Sequence, residues 1–382
     1  MTQKTFGDRI VSMKHILTPI VLSLVLTACG GGGGGGSSPP APVVSTAIPA
    51  TLYDTSYKNF KSYPVDTYGF GTVVLGLGSF LKAGELSYFV ATQNYSPDFQ
   101  DLNTATTNSQ YHSDFEFWTI NSNNVKTKVS SVKGCLHPRK VVVADFNRDN
   151  IPDVFVACHG YDANPFPGEK SKLLLSNGYG NFTMSEPTDV GFFHGATAAD
   201  INNDGYPDII VTNSSSIANP VYALINQRNG TFLKDETRVL GLTNNLYFSA
   251  ELLDLNNDSK IDLIVSGDEV LGADTKILYG DGLGNFGATS TIIPTVNGRG
   301  SVVDFTYVVN NGRRQLFLAR PYDRTNAQGF FHGWAMQGYD LDSGATTVLA
   351  DIVGRWEMWF VPKTRNGNIG VGPINDNTFY YY

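Results

Sequence analysis

Three nine-residue segments of the sequence carry acidic side chains at the same spacing. They are DFNRDNIPD at 145–153, DINNDGYPD at 200–208 and DLNNDSKID at 254–262. Each has Asp at positions 1, 5 and 9 and Asn at position 3. Two unopposed carboxylates about 4 Å apart repel by ~1 kcal/mol in water and by ~4 kcal/mol near a protein surface. The spacing therefore predicts that a positive partner binds among the acids.

Calcium is the partner that suits this set of ligands. Side-chain oxygens at positions 1, 3, 5 and 9 and the backbone carbonyl at position 7 form a hard oxygen donor set, which Ca²⁺ prefers. The predicted ligands are Asp145, Asn147, Asp149, the Ile151 carbonyl and Asp153; Asp200, Asn202, Asp204, the Tyr206 carbonyl and Asp208; Asp254, Asn256, Asp258, the Lys260 carbonyl and Asp262. An EF-hand is excluded because it requires Glu at position 12, where this chain has Val156, Val211 and Val265. The alternative is that Asp and Asn only form the turns, which explains one copy more readily than three.

Position 6 of each segment ranks the three predicted sites. The sharp turn there favours a left-handed backbone, which Gly205 adopts freely, Asn150 tolerates and Ser259 adopts at a cost of roughly 1 kcal/mol. We therefore expect calcium affinity to fall in the order of the 200, 145 and 254 segments. Extracellular sites of this kind bind calcium at about 10⁻⁴–10⁻³ M, so the ions are predicted to stabilise the fold rather than to catalyse a reaction.

A sequence repeat positions the acidic segments. Their first acids, at 145, 200 and 254, lie 55 and 54 residues apart, and a fixed period of this size indicates a repeat architecture. Each segment lies between two apolar runs, such as KVVVA and VFVAC, and two further short runs follow. Four short strands per unit are typical of a propeller blade. The 40 Gly residues and the 12% aromatic content also favour an all-β fold.

Weaker copies of the unit, without the acids, flank the three strong ones. They lie near Ser79, Asp304 and Phe360, which predicts a β-propeller of six four-stranded blades, with seven blades as the alternative. The segment TLYDTS at 51–56 resembles the fourth strand of a unit, and the last unit ends after its third strand. We expect this N-terminal strand to complete the last blade and close the ring, which would remove free sheet edges.

The acidic segments and their flanking strands resemble the FG-GAP/VCBS repeat family, whose members include the propellers of integrin α-subunits. The resemblance extends over residues 51–382, strongly in three units and weakly in three. It implies a β-propeller that binds calcium through the acidic loops. It does not imply one activity, because the family includes adhesion modules, glycan-binding proteins and some polysaccharide-active enzymes.

The N-terminus carries the features of a targeting segment. Residues 1–28 are predicted to be a signal peptide, with Met13 as an alternative start, because Lys14 precedes a short apolar stretch at 16–26 that is too short to span a membrane stably. LTAC at 26–29 resembles the end of a bacterial lipoprotein signal, in which Cys29 becomes the lipidated first residue. By the same resemblance, Gly30 favours the outer membrane. An ordinary secretory signal is the alternative. Residues 29–50, rich in Gly, Ser and Pro, are predicted to be a tether, and 51–382 the propeller.

The face opposite the acidic loops is predicted to bind a ligand. It collects the starts of first strands and the ends of second strands, where aromatic residues mix with Arg, His and Asp, a composition that suits a polar ligand such as a glycan. The candidate residues are His137, Arg139, His159, Tyr161, Asp162, His194, Arg355 and Trp356, with Tyr247, Asp268, Arg299, Arg320 and Tyr322 nearby. The three His residues could instead bind a transition metal, although no His-x-His spacing supports this alternative.

Composition narrows the function further. The net charge of −8 argues against nucleic acid as a partner. Cys135 and Cys158 are predicted to form a disulfide in an oxidising envelope, with free buried thiols as the alternative. The sequence therefore predicts an envelope-anchored, calcium-stabilised binding module. A propeller-based polysaccharide lyase or hydrolase, and a structural partner in an outer-membrane protein assembly, are the alternatives.

Overall fold

The fold is built from β-strands. The computed structural model describes residues 54–57, 73–82, 85–92, 109–120, 126–161, 166–216, 218–242, 244–322, 333–353, 360–365, 368–373 and 380. Regular structure in these ranges is β, apart from short 3-10 helices at Ser109–Tyr111 and Glu269–Leu271. No helix in the described ranges is long and apolar enough to cross a membrane. The predicted all-β class is confirmed.

Six antiparallel sheets follow one another along the chain. The first contains β1 (Asp54–Tyr57), β2 (Val73–Lys82), β3 (Glu85–Thr92), β4 (Asp114–Ile120) and β5 (Lys126–Lys133). The second contains β6 (Pro138–Ala144), β7 (Asp153–Cys158), β8 (Lys172–Ser176) and β9 (Phe182–Ser185), and the third β10 (Phe193–Ala199), β11 (Asp208–Asn213), β12 (Val221–Asn226) and β13 (Phe232–Asp235). The fourth contains β14 (Tyr247–Leu253), β15 (Asp262–Gly267), β16 (Lys276–Gly280) and β17 (Phe286–Ile292). The fifth contains β18 (Asp304–Asn310), β19 (Arg313–Pro321), β20 (Gly333–Asp340) and β21 (Thr346–Val353), and the last β22 (Phe360–Arg365) and β23 (Asn368–Pro373).

The four-strand units predicted around the acidic segments are confirmed in the second, third and fourth sheets. In each of these sheets, strands that are neighbours in the chain pair in order, for example Val142 with Phe155 and Phe155 with Leu173. The nine-residue acidic segment joins the first strand to the second, and its last Asp begins the second strand. Burial falls across each sheet: β7, β11 and β15 are buried along their whole length, whereas β9 and β13 are largely exposed.

Neighbouring sheets pack face to face through apolar side chains. Phe89 and Phe117 of the first sheet join a cluster with Val141 and Val156 of the second. Equivalent clusters lie between the second and third, third and fourth, and fourth and fifth sheets, and a smaller one joins the fifth sheet to Phe360 of the last. Because second strands lie between two such clusters, they are apolar on both faces, which explains why they appear in the sequence as continuous apolar runs rather than alternating ones.

First strands of consecutive sheets lie side by side. In the first sheet, β1 and β2 both lie beside β6 and beside β22, and the other neighbours are β6 and β10, β10 and β14, β14 and β18, and β18 and β22. Together with the four-stranded antiparallel sheets, this arrangement makes the fold propeller-like.

The N-terminal strand differs from the expectation. β1 pairs antiparallel with β2, with Asp54 opposite Gly76 and Tyr57 opposite Val73, and also lies beside β22. It therefore belongs to the first sheet and is not the fourth strand of the last one. The mismatch arises because strand-like residues at 51–56 reveal that a strand forms, but not which edge supplies its backbone partners.

Candidate calcium loops and ligand-binding end

Backbone amides shape the three acidic segments, which we call the 145 loop (145–153), the 200 loop (200–208) and the 254 loop (254–262). The Asp145 carboxylate accepts hydrogen bonds from the amides of Asp149 (3.0 Å) and Asn150 (2.8 Å). The first acids of the other two loops accept the same pair of bonds at 2.7–3.1 Å. Positions 3 and 5 each accept one amide bond, at 2.8–3.1 Å, in every loop. The turn-forming role of Asp and Asn is therefore present in all three copies.

Two positions in each loop have left-handed backbone. At position 6, as the sequence predicts, φ is 65° for Asn150, 89° for Gly205 and 66° for Ser259. Position 4 also has a left-handed backbone, which was not predicted from the sequence: φ is 59° for Arg148, 60° for Asn203 and 62° for Asn257. The Asn residues at two of the three positions could have indicated this backbone, because Asn tolerates a left-handed conformation better than most residues.

The last acid of each loop is buried and ties the loop to the third strand of its sheet. Asp153 is fully buried, and its carboxylate accepts hydrogen bonds from the amides of Phe146 (2.9 Å) and Ser176 (2.8 Å). Asp262 accepts equivalent bonds, both at 3.0 Å. Burial raises the pKa of Asp153 to about 7, opposed by the two amides and reinforced by the negative charges of Asp149 and Asp145.

In the 200 loop this buried carboxylate has a spare oxygen. Oδ1 of Asp208 accepts a hydrogen bond from the Asn226 amide (2.7 Å), whereas its buried Oδ2 has no hydrogen-bond partner among the described residues. Burial raises the pKa of Asp208 to about 7; the Asn226 and Ile201 amides oppose the rise, and the charges of Asp204 and Asp200 reinforce it. The Ile201 amide lowers the pKa of the carboxylate but makes no hydrogen bond with Oδ2. Burial and the two neighbouring acids therefore favour either protonation of Asp208 or a bound cation.

The residues present fit a calcium ion. The donor set in each loop is entirely oxygen, the loop is already folded by its own amides, and Asp208 offers an orphaned buried oxygen. Within the described residues, no group of three or more His, Cys, Asp or Glu side chains is already arranged to hold a metal ion. Binding would therefore require these side chains to shift, but each carboxylate oxygen that accepts one amide hydrogen bond keeps a second lone pair for an ion.

The residue at position 4 of each loop contacts the next sheet in the chain. The three contacts are the Arg148 guanidinium over the Tyr206 ring (5.3 Å), the Asn203 amide group donating to the Gly282 carbonyl (2.7 Å), and the Arg314 guanidinium donating to Asn257 Oδ1 (2.7 Å). The left-handed backbone at position 4 thus projects a side chain across the boundary between sheets. These contacts link each loop to the next sheet, and Arg148 alone reaches another acidic loop.

At the opposite end of the sheets, three imidazoles form one aromatic cluster. The ring centroids of His137 and His159 are 3.9 Å apart, and those of His159 and His194 are 5.2 Å apart. Phe192 stacks on His159 at 4.3 Å, and Phe248 lies 5.2 Å from His194. The structure therefore brings together the three His residues that the sequence placed on separate loops.

Two of these imidazoles are buried and neutral. Burial lowers the pKa of His159 to about 3, with the Arg139 charge adding to the effect. Burial also lowers the pKa of His137 well below its ordinary value, reinforced by His159 and Arg139. Nδ1 of His159 lies 2.8 Å from the Gly160 carbonyl, so this nitrogen carries the proton, and Nε2 presents a lone pair. Nε2 of both rings is buried without a hydrogen-bond partner in the described part.

Glu169 holds the loop that carries these rings. Its carboxylate accepts hydrogen bonds from the amides of Leu136 (2.7 Å) and His137 (3.3 Å), and it lies 3.4 Å from Nε2 of His112. Burial raises the pKa of Glu169 to about 7, opposed by these amides and by the Lys172 charge. The sequence did not predict these contacts, because they join residues 32 and 33 positions apart in the chain.

A disulfide stands beside the same loop. Cys135 and Cys158 are joined, with their Cα atoms 6.3 Å apart, and both are fully buried. Cys158 lies opposite Pro138 in the β6–β7 pair, three residues along from Cys135. The bond fixes the segment leading to His137 against the end of the strand leading to His159.

A small cavity opens where the starts of four first strands meet. It is lined by Arg139, Lys140, His194, Gly195, Ser249, Val303 and Asp304. Lys140 Nζ lies 3.7 Å from Asp304 Oδ1, and the hydroxyl of Ser214 lies 3.0 Å from Nδ1 of His194. The lining combines two basic groups, one acid and an imidazole, so it suits a polar or anionic group rather than an apolar one.

Several other predicted ligand residues are placed differently. Tyr161 is buried, with 6% of its surface exposed, and Tyr247, Asp268 and Arg320 are fully buried, so none of them presents a free surface to a ligand. Their burial results from packing between sheets, which the sequence alone does not reveal. Asp162, Arg355 and Trp356 lie outside the described residues.

Arg320 instead belongs to a buried polar network. Its guanidinium donates to both carboxylate oxygens of Glu269 (2.9 and 3.1 Å), to Gln337 Oε1 (2.6 Å) and to the Arg299 carbonyl (3.0 Å). Arg299, 5% exposed, pairs with Asp351 and stacks over Tyr322 at 3.8 Å. The network joins the fourth and fifth sheets.

These features define an all-β repeat protein of propeller-like architecture with acidic loops at one end of its sheets. Residues 145–211 and 200–265 match the family model described as FG-GAP-like repeat. The stretch 145–265 therefore carries FG-GAP-like repeats, which confirms the resemblance seen in the sequence.

Comparison with whole proteins adds little. No curated protein matches this sequence. The solved structure described as "NanB plus Optactamide" is similar at 10% identity with a TM-score of 0.35, over 84% of this chain and 52% of that one. This chain thus spans about half the length of that protein.

Proposed function

We propose that the chain is an envelope-anchored, calcium-stabilised propeller that binds a glycan or another polar surface ligand through the end opposite its acidic loops. Its six sheets are the blades. The cyclic order in which the sheets lie side by side, from β1 and β2 through β6, β10, β14, β18 and β22 and back to β1 and β2, supports this number.

Calcium is proposed as the stabilising ion because of the buried acids. Asp153 and Asp208 are fully buried and face two further carboxylates each, an arrangement that favours a bound cation. The ligands would be those at positions 1, 3, 5, 7 and 9 of each loop, and their chemistry would be structural. A bound ion would neutralise the acids and leave the amide framework of the loop in place.

The cavity at the first-strand ends carries the ligand-binding proposal. Four separate sheets contribute to its lining, and the lining includes the basic side chains of Arg139 and Lys140 and the imidazole of His194. The neighbouring rings of His159, Phe192 and Phe248 are themselves buried, so they would shape the inner end of the cavity rather than stack on a sugar. The cavity itself has room only for a water-sized group, so a larger ligand would contact its polar lining from outside.

The N-terminal segment supports the envelope anchor. We propose that residues 1–28 are removed and that Cys29 is acylated, so that 29–50 tether the propeller to the outer membrane. Metabolic labelling with palmitate tests this proposal: label should enter the native chain and be lost in Cys29→Ala. Equal labelling of both chains would exclude acylation at this cysteine.

A glycan array, run on the full chain in detergent with calcium and then with EDTA, tests the ligand proposal. We expect binding that weakens with EDTA and that Arg139→Gln and His194→Gln reduce at least tenfold. Arg313→Gln is the matched control, because Arg313 is 73% exposed at the loop end of the fifth sheet, away from the cavity.

Other outcomes of the array would separate the alternative functions. Cleavage of a bound glycan would indicate a lyase or hydrolase instead of a binding module. Absence of glycan binding together with a co-purifying envelope protein would indicate a structural partner. Unchanged binding by both cavity variants would refute the location proposed for the site.

A further inference from the structure

The charges around the 200 loop differ from those that its sequence suggests. DINNDGYPD contains no lysine or arginine, whereas the 145 loop contains Arg148 and the 254 loop contains Lys260. From the sequence, the 200 loop is thus the most negative of the three. In space, two guanidinium groups lie beside it.

The first of these groups is Arg228, which comes from the hairpin between β12 and β13. Its Nε and Nη2 both donate to Asp204 Oδ2 at 3.2 Å, and the Asp204 side chain is only 14% exposed. Arg228 has a left-handed backbone, with φ of 63°, while the corresponding positions of the other two units are Gly178 and Gly282. The other units therefore have no side chain at this position with which to contact their acidic loops.

The second group is Arg148, which belongs to the 145 loop but reaches the 200 loop. Its guanidinium lies over the Tyr206 ring at 5.3 Å, and Nη1 would lie 2.4 Å from a Cβ atom at Gly205. Among the described residues, no lysine or arginine forms an ion pair with the acids of the 145 loop, whereas Asp258 of the 254 loop has Lys260 at 4.0 Å. Arg148, the basic residue of the 145 loop, thus lies beside the 200 loop.

We propose that Arg228 and Arg148 act as internal counter-ions of the 200 loop and lower its calcium affinity below that of the 145 loop. This inference rests on the proposed calcium function and reverses the order expected from Gly205 alone. A unit charge about 7 Å from a divalent ion in water changes affinity by about fivefold at low ionic strength and by about twofold at physiological salt. The two arginines together give about tenfold or more at low salt.

Calorimetric calcium titrations of the full chain in detergent test the proposal. Two double variants each keep one intact acidic loop besides the disabled 254 loop. Asp254→Asn with Asp145→Asn keeps the 200 loop, and Asp254→Asn with Asp200→Asn keeps the 145 loop. We expect the 145 loop to bind several-fold more tightly. Arg228→Gln should tighten the 200 loop about threefold to fivefold in dilute buffer and less at high salt. Arg228→Lys keeps the charge and should leave the affinity near its native value.

The melting temperature in EDTA is a second measurement, which tests whether Arg228 acts as a counter-ion or only lies near the loop. In EDTA, Arg228→Gln should lower the melting temperature, because Asp204 loses its positive partner. The control Arg313→Gln removes the same charge from an exposed site and should change neither the calcium affinity nor the melting temperature in EDTA. Unchanged or weaker binding by the 200 loop in Arg228→Gln would overturn the inference while leaving the calcium function intact. Absence of any binding heat in the native chain would overturn both.

Discussion

The buried network around Arg320 gives the sharpest test of the fold. Arg320 has no exposed surface, and each of its guanidinium nitrogens donates a hydrogen bond to a buried oxygen. Replacing it with Met keeps much of the side-chain volume but removes every one of these donors. Glu269, whose side chain is 4% exposed, then remains without its positive partner.

The expected cost follows from that unpaired carboxylate. Removing one member of a buried ion pair destabilises a protein by about 3–5 kcal/mol, because the remaining charge stays buried. We therefore expect Arg320→Met to lower the free energy of unfolding by this amount and the melting temperature by roughly 10 °C. Adding Glu269→Gln removes the stranded charge. Of the two threonine hydroxyls that donate to Glu269, those of Thr275 and Thr295, one can donate to the amide oxygen of Gln and the other can accept from its NH2 group.

Urea unfolding of the native chain, the single variant and the double variant measures these terms. The double variant should recover at least half of the loss, since a neutral replacement of a buried pair costs much less than breaking it. Arg313→Met is the control, because its partner Asp340 is 3.9 Å away and the Arg313 side chain is 73% exposed, so its loss should cost less than about 0.5 kcal/mol. A single variant within about 0.5 kcal/mol of the native chain would refute the burial of the network.

Three further predictions concern calcium, the disulfide and pH. Millimolar calcium should raise the melting temperature relative to EDTA, with each occupied loop adding ~0.4–1.4 kcal/mol, and identical melting curves would count against the loops as calcium sites. Replacing Cys135 and Cys158, 23 residues apart, with Ser should cost about 3 kcal/mol in chemical unfolding, and a change below about 1 kcal/mol would contradict a stabilising bond. The pKa of Glu169 is about 7 in the folded chain and near 4.5 in the unfolded chain. The contribution of Glu169 to stability is therefore fully present below pH 4.5 and is lost as the pH rises through about 7. The native chain should therefore lose stability between pH 5 and 8 relative to Glu169→Gln, and parallel pH profiles of the two chains would exclude this effect. His137 and His159 act in the opposite direction, because their depressed pKa values reduce stability below pH 6.5. Both chains contain these two residues, so their contribution cancels in the comparison.

The repeating units were predictable because their signals are local. The 55-residue and 54-residue spacings of Asp145, Asp200 and Asp254, with an apolar run on each side, located the first and second strands of three sheets to within one or two residues. The left-handed backbone at position 6 also followed from local sterics. Such features depend on residues a few positions apart, so a single sequence carries them.

The contacts between units were not predictable in the same way. Arg228 lies 24 residues from the Asp204 that it contacts, and nothing in the sequence indicates that its side chain returns to the acidic loop. The pairing of β1 with β2 was missed for the same reason. Burial of Arg320 likewise depends on how the fourth and fifth sheets meet. Of the candidate ligand residues, His137, His159 and His194 lie together, but the sequence did not reveal that His137 and His159 are buried.

The amide framework of the acidic loops has a consequence for how the chain folds. Its hydrogen bonds join residues only two to five positions apart, so each turn can close before any sheet contacts another. Hairpins closed by such short-range contacts form on a timescale of about microseconds, far sooner than contacts that bridge distant chain segments. We expect the second, third and fourth sheets to nucleate first, and the first, fifth and last sheets, whose described residues include no such acidic loop between first and second strands, to assemble onto them.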